Sequence, residues 1–217
     1  MDGRMGHTNP VIFFDLDGTL TDPQAGIVGS IRYALDKLGL DAPQDDDLTW
    51  CIGPPLLESL GHIVGRELAP LALKYYRDRF SDVGWQENHV YPDIPEVLRQ
   101  LSDANAELYV ATSKPLVFAE RIVKHFDLDR FFQRIFGSQL DGRLSDKAEL
   151  LRFALDETAP KNTAVMIGDR KHDVAGAKSN QMRSIGVTYG YGSRQELEHA
   201  GADRLVDAPE ELLFALV

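Results

Sequence analysis

Short apolar runs rich in β-branched and aromatic residues alternate along this chain with stretches of helical apolar spacing. That alternation restricts the fold more than any other feature. Val11–Phe14, Glu107–Ala111, Ala164–Ile167, Ser184–Val187 and Arg204–Val206 read as strands, with a shorter one in "RIFG" at 134–137. Between them, Ile94–Ser102, Leu116–His125, Lys147–Glu157 and Val174–Ser179 carry apolar residues at helical intervals. A last helix starts near Pro209, a residue suited to a first helical turn. Such alternation folds into a mostly parallel sheet with helices on both faces.

The stretch from Pro23 to Asn88 breaks the rhythm. It holds three helical patterns, "GIVGSIRYALDKLGL", "PPLLESLGHIVG" and "APLALKYYRDRFSDVG", with no convincing strand. The expected organisation is therefore a Rossmann-like α/β core, residues 1–22 and 89–217, with a small helical cap domain, 23–88, inserted after the first strand.

Composition narrows the setting. With 43% hydrophobic and 26% charged residues the chain reads as a globular protein, and no apolar run approaches the roughly 20 residues of a membrane helix. The opening "MDGRMGHTNP" has no apolar stretch; it reads as a loose tail and not as a secretory signal. Cys51 is the only cysteine, which excludes an intramolecular disulfide and a cysteine-built zinc site, and points to a reducing cytoplasm. In "TWCIGPP" it reads as a small apolar filler. A net charge of −11 argues against nucleic acid or anionic lipid as a partner, so an anionic substrate needs local positive groups. The expected partner is a small molecule, with the chain a monomer or homodimer.

The polar residues fall at strand ends. The first strand runs into Asp15 and Asp17, the second into Thr112, Ser113 and Lys114, and "AVMIGD" delivers Asp169, with Asp173 four residues on. Lys147 stands where a helix begins. Ligands of open parallel sheets bind outside the carboxyl ends of the strands, so these groups are expected on one rim. Carboxylates, lysines and hydroxyls together suit a hard cation such as Mg²⁺ and a phosphate oxyanion. A carboxylate beside the metal can also serve as nucleophile. Each piece alone has a plainer reading: "GD" as a turn, Thr112 and Ser113 as helix caps, Lys147 on a solvated face. Arg170, Lys171 and His172 read as charged loop residues that do not ligate metal.

In that order and placement the motifs resemble the haloacid dehalogenase-like hydrolase superfamily, whose members are mostly Mg²⁺-dependent phosphatases. "DLDGT" at 15–19 looks like its first motif, Thr112 its second, Lys147 its third and "GDRKHD" at 168–173 its fourth. "IGPPL", "DGRLSDKAELL" and "IGVTYGYGS" are similar to the phosphoglycolate phosphatase-like group and to related cytosolic 5′-nucleotidases. The resemblance implies that Asp15 is the nucleophile and a Mg²⁺ ligand, and that Asp17 is general acid, then base, offering Mg²⁺ its backbone carbonyl. It implies that Thr112, Ser113 and Lys147 hold the phosphoryl oxygens, that Asp169 ligates Mg²⁺, and that Asp173 orients Lys147 or a metal-bound water. Gly18 and Thr19 would shape the turn. Dehalogenases lack an aspartate at the position of Asp17, and protonating an alkoxide needs an acid there, so phosphoryl transfer is expected. "TSKP" departs from the more usual Thr-Asn-Lys-Pro and leaves the substrate open. The cap would read the leaving group through Ile52 to Leu56, Lys74, Tyr75 and Arg77. A β-phosphohexose mutase and a pyrophosphatase use a comparable core, and a non-enzymatic phospho-acceptor signalling domain shares the acidic pocket, Mg²⁺, Thr and Lys without the cap.

Overall fold

The structure is a computed structural model that describes residues 9–44, 46–158 and 164–216. Most of the expected N-terminal tail, residues 1–8, lies outside them. The strands are β1 (Val11–Phe14), β2 (Thr21–Asp22), β3 (His89–Val90), β4 (Glu107–Pro115), β5 (Arg134–Ser138), β6 (Ala164–Gly168), β7 (Arg183–Val187) and β8 (Arg204–Val206). The helices are α1 (Gln24–Lys37), α2 (Leu56–Val64), α3 (Ala69–Arg79), α4 (Ile94–Asp103), α5 (Leu116–His125), α6 (Lys147–Thr158), α7 (Lys171–Ser179), α8 (Arg194–Ala200) and α9 (Leu212–Ala215).

The larger sheet has six parallel strands in the order β5-β4-β1-β6-β7-β8. From central β1 the chain steps to β4 and β5 on one side, then crosses back to β6, β7 and β8 on the other. β1 is buried along its whole length, so alternate side chains must enter two cores. Ile12 and Phe14 pack with Ile94 and Leu98 of α4, Ile122 of α5 and Leu212 of α9. Val11 and Phe13 join Leu150, Leu151 and Leu155 of α6 and Ala177 of α7 on the opposite face.

Helices α1 to α3 form the helical insert, and they lie between β2 and β3, which pair antiparallel through Thr21–Val90 and Asp22–His89. That short ribbon has too few residues to show in the sequence pattern. A 3₁₀ turn at Asp46–Cys51 and a π-helical turn at Phe80–Gly84 complete the insert. Ile31, Leu35, Ala72 and Phe80 are buried in the core cluster that also covers one face of the sheet. Arg79 grips Glu87 with two hydrogen bonds of 2.7 and 2.9 Å, tying the end of α3 to the segment just before β3. Among the described residues no helix is long and apolar enough to cross a membrane.

Candidate active site

Phe14 is level with Val110 on one side and with Ile167 on the other, so the three strands run out at the same edge of the sheet. Asp15, Thr112 and Asp169 thus reach one edge from three distant parts of the chain. Asp15 keeps a last sheet contact, donating its N–H to the Ile167 carbonyl at 2.8 Å. The chain then turns: the Leu16 carbonyl accepts from the N–H groups of Leu20 and Thr21 at 2.9 and 3.0 Å. Gly18 makes this turn at φ +84°, a left-handed conformation, and a Cβ there would overlap the Asp169 carboxylate.

Lys147 opens α6, whose start is fixed by Asp146 accepting the Glu149 N–H at 3.0 Å. It is only 5% exposed, so the solvated-face reading fails. Its Nζ lies 2.9 Å from Asp15 Oδ1 and 2.8 Å from Asp173 Oδ1, and donates to the Ala111 carbonyl at 2.9 Å. Burial opposes the charged ammonium, but Asp15 and Asp173 outweigh it and raise its proton affinity. Asp173 Oδ2 accepts the Arg170 N–H at 3.0 Å, which starts α7 at Lys171, earlier than the apolar spacing suggests. Burial first, with Asp15 adding and Lys147 opposing, pushes the Asp173 carboxyl up to about 6.

Asp169 is completely buried. Its Oδ2 accepts the Tyr191 N–H at 2.7 Å, while Oδ1 has no partner among the described residues. Burial, then Asp173 and Asp15, hold this carboxyl well above the usual carboxylate range. Asp15, Asp169 and Asp173 each present an oxygen within 4.8 Å of the others'. An all-oxygen donor set with an orphaned buried carboxylate oxygen fits a hard divalent cation such as Mg²⁺. Of the residues expected to ligate metal, Asp15 and Asp169 belong to this cluster. Asp17 does not bring its carboxylate there, and Asp173 does, while also pairing with Lys147.

The remaining candidates share the rim. Thr112 is buried, and its Oγ1 accepts the Lys114 N–H at 3.2 Å. Neither it nor Ser113 caps the next helix: α5 begins after Pro115 without a side-chain cap. The Ser113 carbonyl accepts from Ser138 Oγ at 2.8 Å. Asp17 is buried beside Lys114, whose Nζ donates to Oδ2 at 2.5 Å. Burial raises the Asp17 carboxyl above its ordinary value against the pull of Lys114, and the Asp15 charge adds to the rise.

Residues 12–187 match the family model described as haloacid dehalogenase-like hydrolase. The chain belongs to this family. It is 49% identical to a 5′-nucleotidase of Pseudomonas aeruginosa over 191 residues, 87% of this chain and 86% of that one. It is 39% identical to the tyrosine-protein kinase PtkA of Mycobacterium tuberculosis over 188 residues, 86% of this chain but only 65% of that protein. Among solved structures, a predicted phosphatase from Clostridium acetobutylicum superposes with a TM-score of 0.93 at 43% identity, covering 96% of this chain and 98% of that one. Phosphoglycolate phosphatases also match, at 25–28% identity over 94–95% of the chain.

In this haloacid dehalogenase-like hydrolase a pocket of about 210 Å³ opens between the insert and the core on the Asp17 side of the acidic cluster. Ile27, Leu56, Tyr76, Phe80 and Phe118 give it mostly apolar walls, and Arg77 and Ser113 also line it. Of the expected leaving-group residues, Gly53, Pro54, Pro55, Leu56 and Arg77 are lining residues; Lys74, Tyr75 and Ile52 are not. Lys74 is exposed beside Asp78 and Tyr75 packs on the core, because a helix turns successive side chains to different faces.

Two neighbours make contacts that sequence pattern does not give. Lys114 stands there only as part of "TSK", since a lysine is ordinarily solvated. Arg170 is no solvated loop residue: it is 8% exposed, donates to the Ile52 carbonyl across the insert–core seam, and pairs with Glu196 at 3.0 Å. The tight "IGPP" turn is the one available signal, because Gly53 has φ +102° and a Cβ there would lie 2.8 Å from Arg170 Cγ.

Proposed function

We propose that this hydrolase is a Mg²⁺-dependent phosphomonoesterase that works through an aspartyl-phosphate on Asp15. The supporting observation is the buried cluster in which Asp15 touches Lys147 and stands with Asp169 and Asp173, at the edge of a pocket lined by Asp17. Asp15, Asp169 and the Asp17 backbone carbonyl would hold Mg²⁺, which when bound offsets the charge of the phosphate.

The substrate phosphoryl group is held by the Lys147 ammonium, the Thr112 hydroxyl and the Ser113 N–H. Asp15 attacks phosphorus in line; as the new P–O bond forms, the bond to the leaving oxygen breaks and Asp17 gives that oxygen its proton. Asp17, now ionised, takes a proton from water while the water oxygen attacks phosphorus, releasing phosphate and restoring Asp15. Asp173 keeps Lys147 aimed at the nucleophile. The insert closes over the pocket and reads the leaving group.

The proposed substrate is a small phosphorylated metabolite, a nucleoside monophosphate or a phosphoglycolate-like ester, in the cytoplasm. The 5′-nucleotidase relative and the apolar, aromatic pocket walls favour the nucleotide. Phosphate release is screened with Mg²⁺ across nucleoside monophosphates, phosphoglycolate, sugar phosphates and pyrophosphate, alongside Asp15→Asn. Release from monoesters, abolished by the substitution and by chelation, is expected. Turnover of pyrophosphate alone, isomerisation of a sugar phosphate without phosphate release, or an active Asp15→Asn enzyme would overturn the reading.

A further inference from the structure

Lys114 takes no part in the proposed phosphoryl transfer, yet it is buried at its centre. It sits at the end of β4, where the register against β5 shifts between Thr112 and Pro115, and its side chain reaches Asp17 on the rim. Its Nζ donates to Asp17 Oδ2 at 2.5 Å and stands 4.8 Å from the centroid of the Phe80 ring, which the insert supplies. Asp17 Oδ1 is buried with no partner among the described residues. Asp17, Lys114, Phe80 and Phe118 all line the same pocket.

We propose that Lys114 is a positioning residue for the acid–base aspartate, and that Phe80 makes its hold depend on the closed insert. The inference rests on the phosphomonoesterase reading. An ammonium has only protons to give, so the oxygen it engages is a poor seat for the carboxyl proton. With Oδ2 taken, the transferable proton sits on Oδ1, the oxygen with no partner among the described residues. The aromatic face of Phe80 holds the ammonium from the other side in a desolvated site, where a cation–π contact is stronger than at the surface. With the insert swung away, Lys114 would lose that face and Asp17 its fixed orientation, so acid catalysis is switched on by closure.

During transfer to Asp15 the P–O bond to the leaving group breaks and the Oδ1 proton moves to the departing oxygen. An alkoxide needs that proton, whereas p-nitrophenolate leaves nearly as well without it. The test therefore compares benzyl phosphate with p-nitrophenyl phosphate, two aromatic esters of similar shape, in Lys114→Met, Phe80→Leu and Asp17→Asn. It is read as kcat/KM, which stops at the first phosphoryl transfer.

Lys114→Met is expected to lose about 10²-fold on benzyl phosphate but under about tenfold on p-nitrophenyl phosphate, with Phe80→Leu showing the same selectivity at smaller size. Equal losses on both esters, or none, would overturn the positioning role. So would a rise in KM confined to substrates carrying a second anion, which would make Lys114 a substrate anchor. If Lys114→Met fails to fold by circular dichroism, Phe80→Leu decides on the same criteria. Asp17→Asn separates the two levels: it must itself show the selective loss on benzyl phosphate, and if it does not, the phosphomonoesterase reading fails and not merely the assignment of Lys114.

Discussion

Replacing Lys147 by methionine keeps the aliphatic stem that packs beside Gly176 and removes the ammonium between Asp15 and Asp173. Three buried carboxyl groups then share one site with no ammonium between them. Breaking a buried pair from one side costs about 3–5 kcal/mol. In a chain of this size each kcal/mol moves Tm by about 2–4 °C, so in chelator at neutral pH the variant should melt about 6–20 °C below wild type. The lower half of that range is expected, because carboxyls freed of their counter-ion relieve the repulsion by taking up protons. For the same reason the gap should narrow on acidification toward about 6, the value to which Asp173 is already pushed with the lysine in place. Mg²⁺ should return part of the lost stability, because a cation held by the folded cluster would have no such site in the unfolded chain. Scanning calorimetry with chelator and with Mg²⁺ measures each quantity. A Lys147→Met protein melting within about 2 °C of wild type in chelator would refute the claim that this lysine neutralises the cluster.

The same geometry sets three further outcomes. Asp169 and Asp173 hold protons more tightly folded than unfolded, so the stability they contribute in chelator is largest in acid and is lost as pH rises, for Asp173 through about 6. Mg²⁺ must displace those protons, and its Tm shift should therefore grow over the same window; a shift that is flat with pH contradicts this. Gly18→Ala drives a Cβ into the Asp169 carboxylate and should cut kcat by about 10²-fold or more while leaving a folded protein by circular dichroism. Wild-type turnover in that variant would show that the turn is not under this constraint. Burial first, with Ser59 and Arg170 opposing, pushes the Cys51 thiol up to about 11, so iodoacetamide at mildly alkaline pH should label it only after denaturation. Rapid native labelling would contradict the buried assignment.

The parts of the fold legible in the sequence are those carried by short-range pattern. Val11–Phe14 is legible to the residue because an apolar run bounded by polar residues marks a buried strand, and Leu116–His125 because its spacing is regular; the bounds of Arg204–Val206 are legible too, although only Val206 of that edge strand is buried. The site motifs are legible because each follows a strand or opens a helix, and parallel register then brings them to one edge. The rest depends on contacts between distant residues. Lys114 meets Asp17 from 97 positions away, and Arg170 meets Ile52 from 118. The "TSK" strand end puts Lys114 on the rim without showing its partner, and lysine and arginine are solvated in most settings, so neither contact is marked locally. The β2–β3 ribbon is invisible for a different reason: two residues a side carry no period. Tyr191 contributes through its backbone N–H, which any residue but proline would supply there.

Passage of the phosphoryl group through Asp15 underlies every step proposed for this site. It is tested most directly by mixing enzyme, Mg²⁺ and p-nitrophenyl phosphate, quenching in acid within a turnover, and mapping the protein by mass spectrometry. One phosphoryl group is expected on the peptide containing Asp15, absent from Asp15→Asn and longer-lived in Asp17→Asn, which lacks the base for hydrolysis. Turnover with no adduct on that peptide, together with an Asp15→Asn enzyme as fast as wild type, would contradict it.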